Sequence, residues 1–364
     1  MISGLAEIYR AFNPAGALVS AVRFGNGHIH DTFRITTTSV SVPGYILQRI
    51  NTNVFRNIEG LQGNIEKVTE HICRKLTDIP GSQPDRQCLR LIPTHEGKSW
   101  YTHTDGSCWR MHLFIANHSN YEIVDSEGRA FEGGRAIGNF TAMVADMDPA
   151  KLEETIPGFH NTPSRIDDFM RSLKNDNAGR AASVVVESEK IIARAGSMKI
   201  IVKLGREGKI PLRVTHNDTK FNNILFDEND HALCVIDLDT VMPGYVHYDF
   251  GDAIRTAAST AAEDEPDLDR VSINLRFYDA WTGGFLSEAG KYLTRAEKEW
   301  LSFAPRLITY EQALRFLNDY INGDIYYRTS FPGQNLQRAR AQLRLLESME
   351  ENAPEMEMIV KKYI

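Results

Sequence analysis

The chain contains Val214-Thr215-His216-Asn217-Asp218-Thr219-Lys220-Phe221-Asn222-Asn223-Ile224-Leu225-Phe226, followed shortly by Cys234-Val235-Ile236-Asp237-Leu238-Asp239-Thr240. Polar residues sit between apolar runs here, which holds them on ordered elements. Residues 224–226 read as a short strand, 227–230 as a turn and 233–236 as the returning strand. With the turn centred near residue 230, Asn223 and Asp237 fall opposite each other at the open end of the hairpin. Opposed residues on paired strands stand about 4.5–5.5 Å apart. An amide oxygen and a carboxylate at that spacing suit Mg²⁺, which needs only one or two protein carboxylates when phosphates complete its shell. Asp218 lies five residues before Asn223, on the loop that feeds the first strand. A carboxylate there can face the same metal and accept a proton from a substrate hydroxyl.

His-x-Asp with an Asn five residues after the Asp is the spacing of the protein-kinase catalytic loop, where the Asp is the base and the Asn holds metal. Here the loop reads His-Asn-Asp, without the usual Arg. Together with Ile236-Asp237-Leu238-Asp239 and Tyr248-Asp249-Phe250-Gly251-Asp252, it resembles the aminoglycoside phosphotransferase and choline kinase superfamily. Within that superfamily, Arg213 to Lys220 and Ile236 to Thr240 are most similar to the bacterial N-acetylhexosamine 1-kinases. The resemblance extends to Gly27-His28-Ile29, Tyr45-Ile46-Leu47-Gln48, residues 260–264 and Arg315-Phe316-Leu317, nearly the whole chain.

The later Asp-Phe-Gly does not supply the metal ligand. In kinases that Asp follows the hairpin directly, as Asp237 does at 14 residues past Asn223, whereas Asp249 lies 26 past it. Asp249 is expected to cap its helix and to hydrogen-bond the catalytic loop. Asp239 either touches a second metal or braces the loop, with bracing preferred.

With 364 residues, 42% hydrophobic and 24% charged, the chain is long enough for two packed lobes of an ordinary globular protein. A net charge of −7 argues against a general nucleic-acid binder. The four cysteines lack metal-ligand spacing and read as reduced thiols of a cytoplasmic protein. No apolar run approaches the roughly 18 residues of a membrane span, and the N-terminus has neither the basic nor the apolar region of a signal peptide.

Residues 1–117 read as a strand-rich lobe, with strands at 21–24, 32–37, 45–50, 99–102 and 109–115 and an amphipathic helix over 56–75. On that helix Leu61, Ile65, Val68 and Ile72 recur at helical spacing. Gly25 and Gly27 sit at the turn between the first two strands, where backbone N–H groups can cover phosphates; a plain hairpin turn is the alternative. His28 is either a surface turn histidine or a substrate contact. The third strand puts Ile46 and Gln48 where kinases carry Ala-x-Lys, so the usual Lys is replaced by Gln48. Glu66, the candidate for the kinase helix glutamate, then has no Lys to pair with and reads as a solvated charge. The hinge falls near Ile115.

Residues 118–364 read as mostly helical. Residues 130–147 are rich in Ala and Gly and suit close helix packing; Asn161-Thr162-Pro163 opens a helix, and 165–194 continues it. Residues 304–327 pattern as one helix with Leu307, Tyr310, Leu314, Leu317 and Ile321 inward. Arg315 and Tyr326, three turns apart, share a face if the helix survives Gly323.

The resemblance implies an α+β, bilobal protein-kinase-like fold. A small antiparallel β-sheet lobe (1–117) would bind ATP, and a mostly helical lobe (118–364) would carry catalysis and the substrate. It implies transfer of the γ-phosphoryl group of Mg·ATP to the anomeric hydroxyl of N-acetylglucosamine or N-acetylgalactosamine. Asp218 would be the base, and Asn223 and Asp237 the Mg²⁺ ligands. Gly25, Gly27, Ile46, Gln48 and Ile115 would line the nucleotide, and His28, Asp218, Arg315 and Tyr326 the sugar. His216 would brace the loop. The partners are then a sugar and a nucleotide, with neither nucleic acid nor membrane, and a monomer is compatible with this. Two rivals stand: a kinase for another small hydroxyl compound (another sugar, choline, homoserine, an aminoglycoside), and an inactive nucleotide-binding protein on the same fold.

Overall fold

The computed structural model describes residues 2–25 and 29–364. It divides into two compact units, residues 1–120, 148–157 and 224–242 in the first and 121–147, 158–223 and 243–364 in the second.

The first unit is built on a five-stranded antiparallel sheet. Helix α1 (Ile2–Arg10) precedes β1 (Leu18–Arg23), β2 (Asp31–Thr37) and β3 (Tyr45–Ile50); helix α2 (Ile58–Thr77) leads to β4 (Trp100–Thr102) and β5 (Cys108–Leu113). The strand order is β1-β2-β3-β5-β4. Side chains alternate between the faces of a strand. Phe33, Leu47 and Met111 therefore share one face with Ile35, Tyr45 and Trp109, and pack on Leu5, Ile8 and Tyr9 of α1 and on Phe12. The opposite face carries a polar row in direct register, Thr32 beside Gln48 and Gln48 beside Arg110.

On α2 the predicted stripe of Leu61, Ile65, Val68 and Ile72 is buried, and Asn57 caps the first turn by accepting from the backbone N–H of Gly60. Burying each such side chain contributes about 1.5–3 kcal/mol. The buried Asn64 amide donates to the carbonyls of Glu153 and Val241, tying the helix to two later segments of the same unit.

The hairpin of this unit pairs Ile224–Phe226 with Ala232–Val235. Its register differs from the symmetric one expected. Ile224 faces Val235 and Leu225 faces Cys234, but Phe226 faces Ala232, so a bulge shifts the pairing by one residue. Asp237 lies beyond the last pair, in a left-handed turn with φ of 62°.

The second unit is helical. Helices Glu127–Met143 and Leu275–Ala289 pack closely through small residues: a Cβ on Gly134 would stand 2.2 Å from the carbonyl oxygen of Trp281. Asn161 caps helix Thr162–Asn175 as expected, but the single helix expected over 165–194 is broken. Asp176 turns left-handed (φ 41°), and the chain resumes through a 3-10 turn at Ala181–Val184 and as α-helix only at Val185–Arg194. Helix Ala304–Ile321 buries Leu307, Tyr310, Leu314, Leu317 and Ile321. It stops there and does not reach 327, because Gly323 and Asp324 take positive φ of 97° and 61°. Among the described residues no helix is long and apolar enough to cross a membrane.

Candidate active site

In the second unit, strand Arg213–Thr215 delivers the chain to the loop. Asn217 takes φ of 64°, a conformation that Asn tolerates better than most residues. The loop is held from below by Asp249, which is 1% exposed on helix Val246–Ala257. The backbone N–H groups of His216 and Asn217 donate to its two oxygens at 2.9 and 2.7 Å, and the Thr219 hydroxyl donates to its carbonyl at 2.6 Å. Asp249 thus clamps the loop, as expected, but it does not cap its helix: Tyr245 occupies the cap position and makes no side-chain cap. Burial pushes the Asp249 carboxyl up to about 6, against the pull of the His216 ring and the two backbone N–H groups. His216 is buried edge-on to Phe140, and its Nδ1 accepts the backbone N–H of Asp218 at 3.3 Å. Both contacts brace the loop.

The Asp218 side chain remains 25% exposed. Asn223 comes to it: Nδ2 donates to the Asp218 carbonyl at 2.8 Å and to Oδ2 at 3.2 Å. With its nitrogen committed there, the amide of Asn223 keeps its oxygen as the remaining polar atom. Lys220 Nζ lies 3.2 Å from the same Asp218 oxygen. Sequence reasoning gave Lys220 no role, although its place two residues after Asp218 was a usable signal.

Asp237 belongs to the first unit, half-buried on its left-handed turn. Two residues on, Asp239 is 2% exposed, and both its oxygens are engaged. Arg110 grips it with both terminal nitrogens, Nη2 to Oδ2 at 2.8 Å, and His30 Nε2 lies 2.5 Å from Oδ2. The backbone N–H of Asn51 donates to His30 Nδ1 at 3.0 Å, so Nε2 carries the proton toward Asp239. Burial would raise the Asp239 carboxyl, but Arg110 and His30 outweigh it and hold it well below the usual range. Asp239 is therefore a brace.

Asn223 and Asp237 offer hard oxygen donors of the kind Mg²⁺ takes. Among the described residues no three His, Cys, Asp or Glu side chains gather as a metal cluster.

Of the candidate nucleotide residues, Gly25 takes φ of 77° with open space around a would-be Cβ, whereas Gly27 and the candidate sugar contact His28 lie outside the described residues. Ile46 is buried on β3, and Gln48 bridges Thr32 and Arg110. Ile115 is packed against Leu225 and Cys234, and its carbonyl accepts from His118 Nδ1 at 2.5 Å.

Arg315 and Tyr326 do meet, but by another route than a shared helix face. The carboxylate of Asp319 accepts the backbone N–H groups of Ile325, Tyr326 and Tyr327 at 3.0, 2.8 and 2.9 Å, folding the chain back after the helix ends. The Arg315 guanidinium then lies 5.1, 5.5 and 6.0 Å from the rings of Phe159, Tyr327 and Tyr326. Arg165 is 3.4 Å from Glu311, which is already bound by His160 at 2.8 Å and Thr162 at 3.0 Å. Burial would raise Glu311, yet His160, Arg165 and Arg315 hold its carboxyl at about 2.

Solved structures share this architecture. An aminoglycoside phosphotransferase from Alicyclobacillus acidocaldarius is 11% identical with a TM-score of 0.61, and covers 98% of this chain and 96% of its own. A choline/ethanolamine kinase family protein from Mesorhizobium loti is 14% identical with a TM-score of 0.60 and full coverage of both chains. A spectinomycin phosphotransferase in complex with ADP and spectinomycin is 14% identical with a TM-score of 0.57, covering 99% and 98%. At these identities the likeness shows the fold alone, which is the α+β kinase-like fold of these proteins. Residues 20–283 match the model of the phosphotransferase enzyme family, and the chain belongs to that family.

Proposed function

We propose that the protein transfers the γ-phosphoryl group of ATP to the anomeric 1-hydroxyl of an N-acetylhexosamine, GlcNAc or GalNAc, giving the sugar 1-phosphate. The observation that carries this reading is the loop at Asp218. A partly exposed carboxylate is held at one oxygen by both Asn223 and Lys220, on a backbone clamped by Asp249. Phosphoryl transfer asks a protein mainly for positioning and charge stabilisation. In this reading Asp218 orients the sugar hydroxyl and accepts its proton. Asn223 and Asp237 would hold Mg²⁺, which when bound neutralises charge on the phosphates. Residues 1–117 would serve the nucleotide and 118–364 catalysis and the sugar. ADP in the complex of the spectinomycin phosphotransferase supports an adenine nucleotide as co-substrate. The four free cysteines fit a reduced, cytoplasmic setting.

Arg315 and Tyr326 would bind the sugar, with a planar guanidinium reading hydroxyl and carbonyl oxygens in fixed directions. Two guanidinium groups, Arg165 and Arg315, gather around one carboxylate, Glu311, that His160 and Thr162 already engage. That balance disfavours a cationic acceptor such as choline or an aminoglycoside and supports a neutral sugar.

The test is an ADP-release assay across GlcNAc, GalNAc, other sugars, choline, homoserine and an aminoglycoside. N-acetylhexosamines should give the highest kcat/KM, and preference for a cationic acceptor would overturn the substrate assignment. Asp218→Asn should lower kcat by roughly 10²–10⁴, the range of general-base catalysis, with the fold intact; near-normal turnover would remove Asp218 from the mechanism.

A further inference from the structure

Kinases of this architecture hold a cation against the nucleotide phosphates with a lysine on the third strand, itself held by a helix glutamate. This chain has Gln48 at that strand position. The register places Arg110 of β5 directly beside Gln48, on the same face of the sheet. Arg110 Nε donates to Gln48 Oε1 at 2.9 Å, and Gln48 Nε2 donates in turn to the Thr32 hydroxyl at 3.1 Å. The other end of the guanidinium is gripped by Asp239. Arg110 is thus a rigid cation, 5% exposed, fixed on two sides by an amide and a carboxylate. A guanidinium has five N–H donors. One goes to Gln48 and two to Asp239, which leaves two. The guanidinium also lies within electrostatic reach of Asp237, since Asp237 and Asp239 both favour its charged form against the effect of burial.

We infer that Arg110, held by Asp239, supplies the phosphate-contacting cation of this enzyme. The cation is displaced by one strand from its usual place, and Gln48 and Asp239 act as its positioning residues. This deepens the reading above and rests on it. The ligand chemistry is a nucleoside polyphosphate: the two remaining donors suit phosphate oxygens, for which the planar fork is well matched. The inference also gives the departure at Gln48 a purpose. A lysine there would set a second cation against Arg110, whereas an amide can accept from Arg110 and donate to Thr32 at once.

A merely structural brace would make a different prediction from a phosphate contact, and adenosine separates the two. Calorimetric titrations of wild type, Arg110→Gln and Arg110→Lys with Mg·ADP and with adenosine provide the readout. Wild type should bind Mg·ADP more tightly than adenosine. Arg110→Gln should lose about tenfold to a hundredfold in Mg·ADP affinity, the effect of a lost charge-assisted hydrogen bond, with adenosine affinity unchanged. Arg110→Lys should fall between, since it keeps the charge without the fork. Should Arg110→Gln fail to fold, Arg110→Lys alone decides by its ratio of the two affinities. A variant that loses both ligands equally, or neither, overturns the inference and leaves the kinase reading standing. A wild type that binds Mg·ADP no better than adenosine overturns both.

Discussion

Asp239 of the first unit and Asp249 of the second are equally hidden, 2% and 1% exposed, and each fixes a turn that carries a candidate catalytic group. Their carboxyls are nonetheless driven in opposite directions. Asp239 is gripped by a guanidinium and a histidine and is held far below the ordinary carboxylate range. Asp249 is contacted by neutral backbone N–H groups, has Asp252 nearby, and rises to about 6. Burial is common to both, so burial does not decide the outcome. What decides it is whether a formal cation touches the carboxylate. The turn bearing Asp237 is braced by an ion pair that needs its charge, and the loop bearing Asp218 by a clamp that tolerates a proton.

The largest effect is expected where the charge matters most. Asp239→Asn leaves Arg110 buried without its counter-ion and should cost about 3–5 kcal/mol in urea unfolding at neutral pH. Asp239 has a depressed folded pKa, so its contribution is present above the unfolded value of about 4 and is lost as pH falls below it. The gap between wild type and variant should hold steady from pH 8 to 5 and narrow below that. A cost under about 1 kcal/mol would show that Arg110 finds another anion and would break the contrast.

Asp249→Asn should show the reverse slope. A carboxyl raised to about 6 contributes stability that is fully present below about 4 and is lost as pH rises through 6. The variant carries no such titration. Wild type should therefore lose about 2 kcal/mol relative to it between pH 4 and pH 7. The variant is then most costly in acid and least costly at pH 8. Equal gaps at pH 5 and pH 8 would place the Asp249 carboxyl in the ordinary range and erase the difference between the two clamps.

Much of this architecture was open to inspection in the sequence, and the parts that were not share a physical cause. Periodicity is local, so the strand at Tyr45–Ile50 and the buried stripe of α2 could be read directly. The role of Asp249 as a loop clamp followed from its position after the hairpin. The hairpin register did not: the expected centre at residue 230 lies past the true one, since Phe226 faces Ala232, and neither that offset nor the bulge between Leu225 and Phe226 leaves a mark in composition. The pairing of Arg110 with Asp239 spans 129 residues and depends on which strand lies beside β3. Side-chain alternation within β5 says that Arg110 shares a face with His112, but not that Gln48 is its neighbour. Arg315 and Tyr326 were brought together for a reason the pattern did not contain. A continuous helix was expected, and the structure uses a reversal anchored by Asp319.

Asp319 sharpens the contrast by a third case, with the smallest expected effect. It is 4% exposed, and its contacts resemble those of Asp249 more than those of Asp239: three backbone N–H groups and the amide of Asn335 at 2.9 Å. An asparagine keeps one oxygen for the pair at Ile325 and Tyr326 but turns an N–H₂ group toward donors at Tyr327 and Asn335. Asp319→Asn should therefore cost about 1–2 kcal/mol, within the range for lost hydrogen bonds and below that of Asp239→Asn. Because the segment it holds carries Tyr326, the change should also raise the sugar KM while leaving kcat and Mg·ADP affinity near wild type. A stability loss as large as that of Asp239→Asn would mean that an N–H clamp depends on charge as strongly as an ion pair does. An unchanged KM would separate the anchored tyrosine from the sugar.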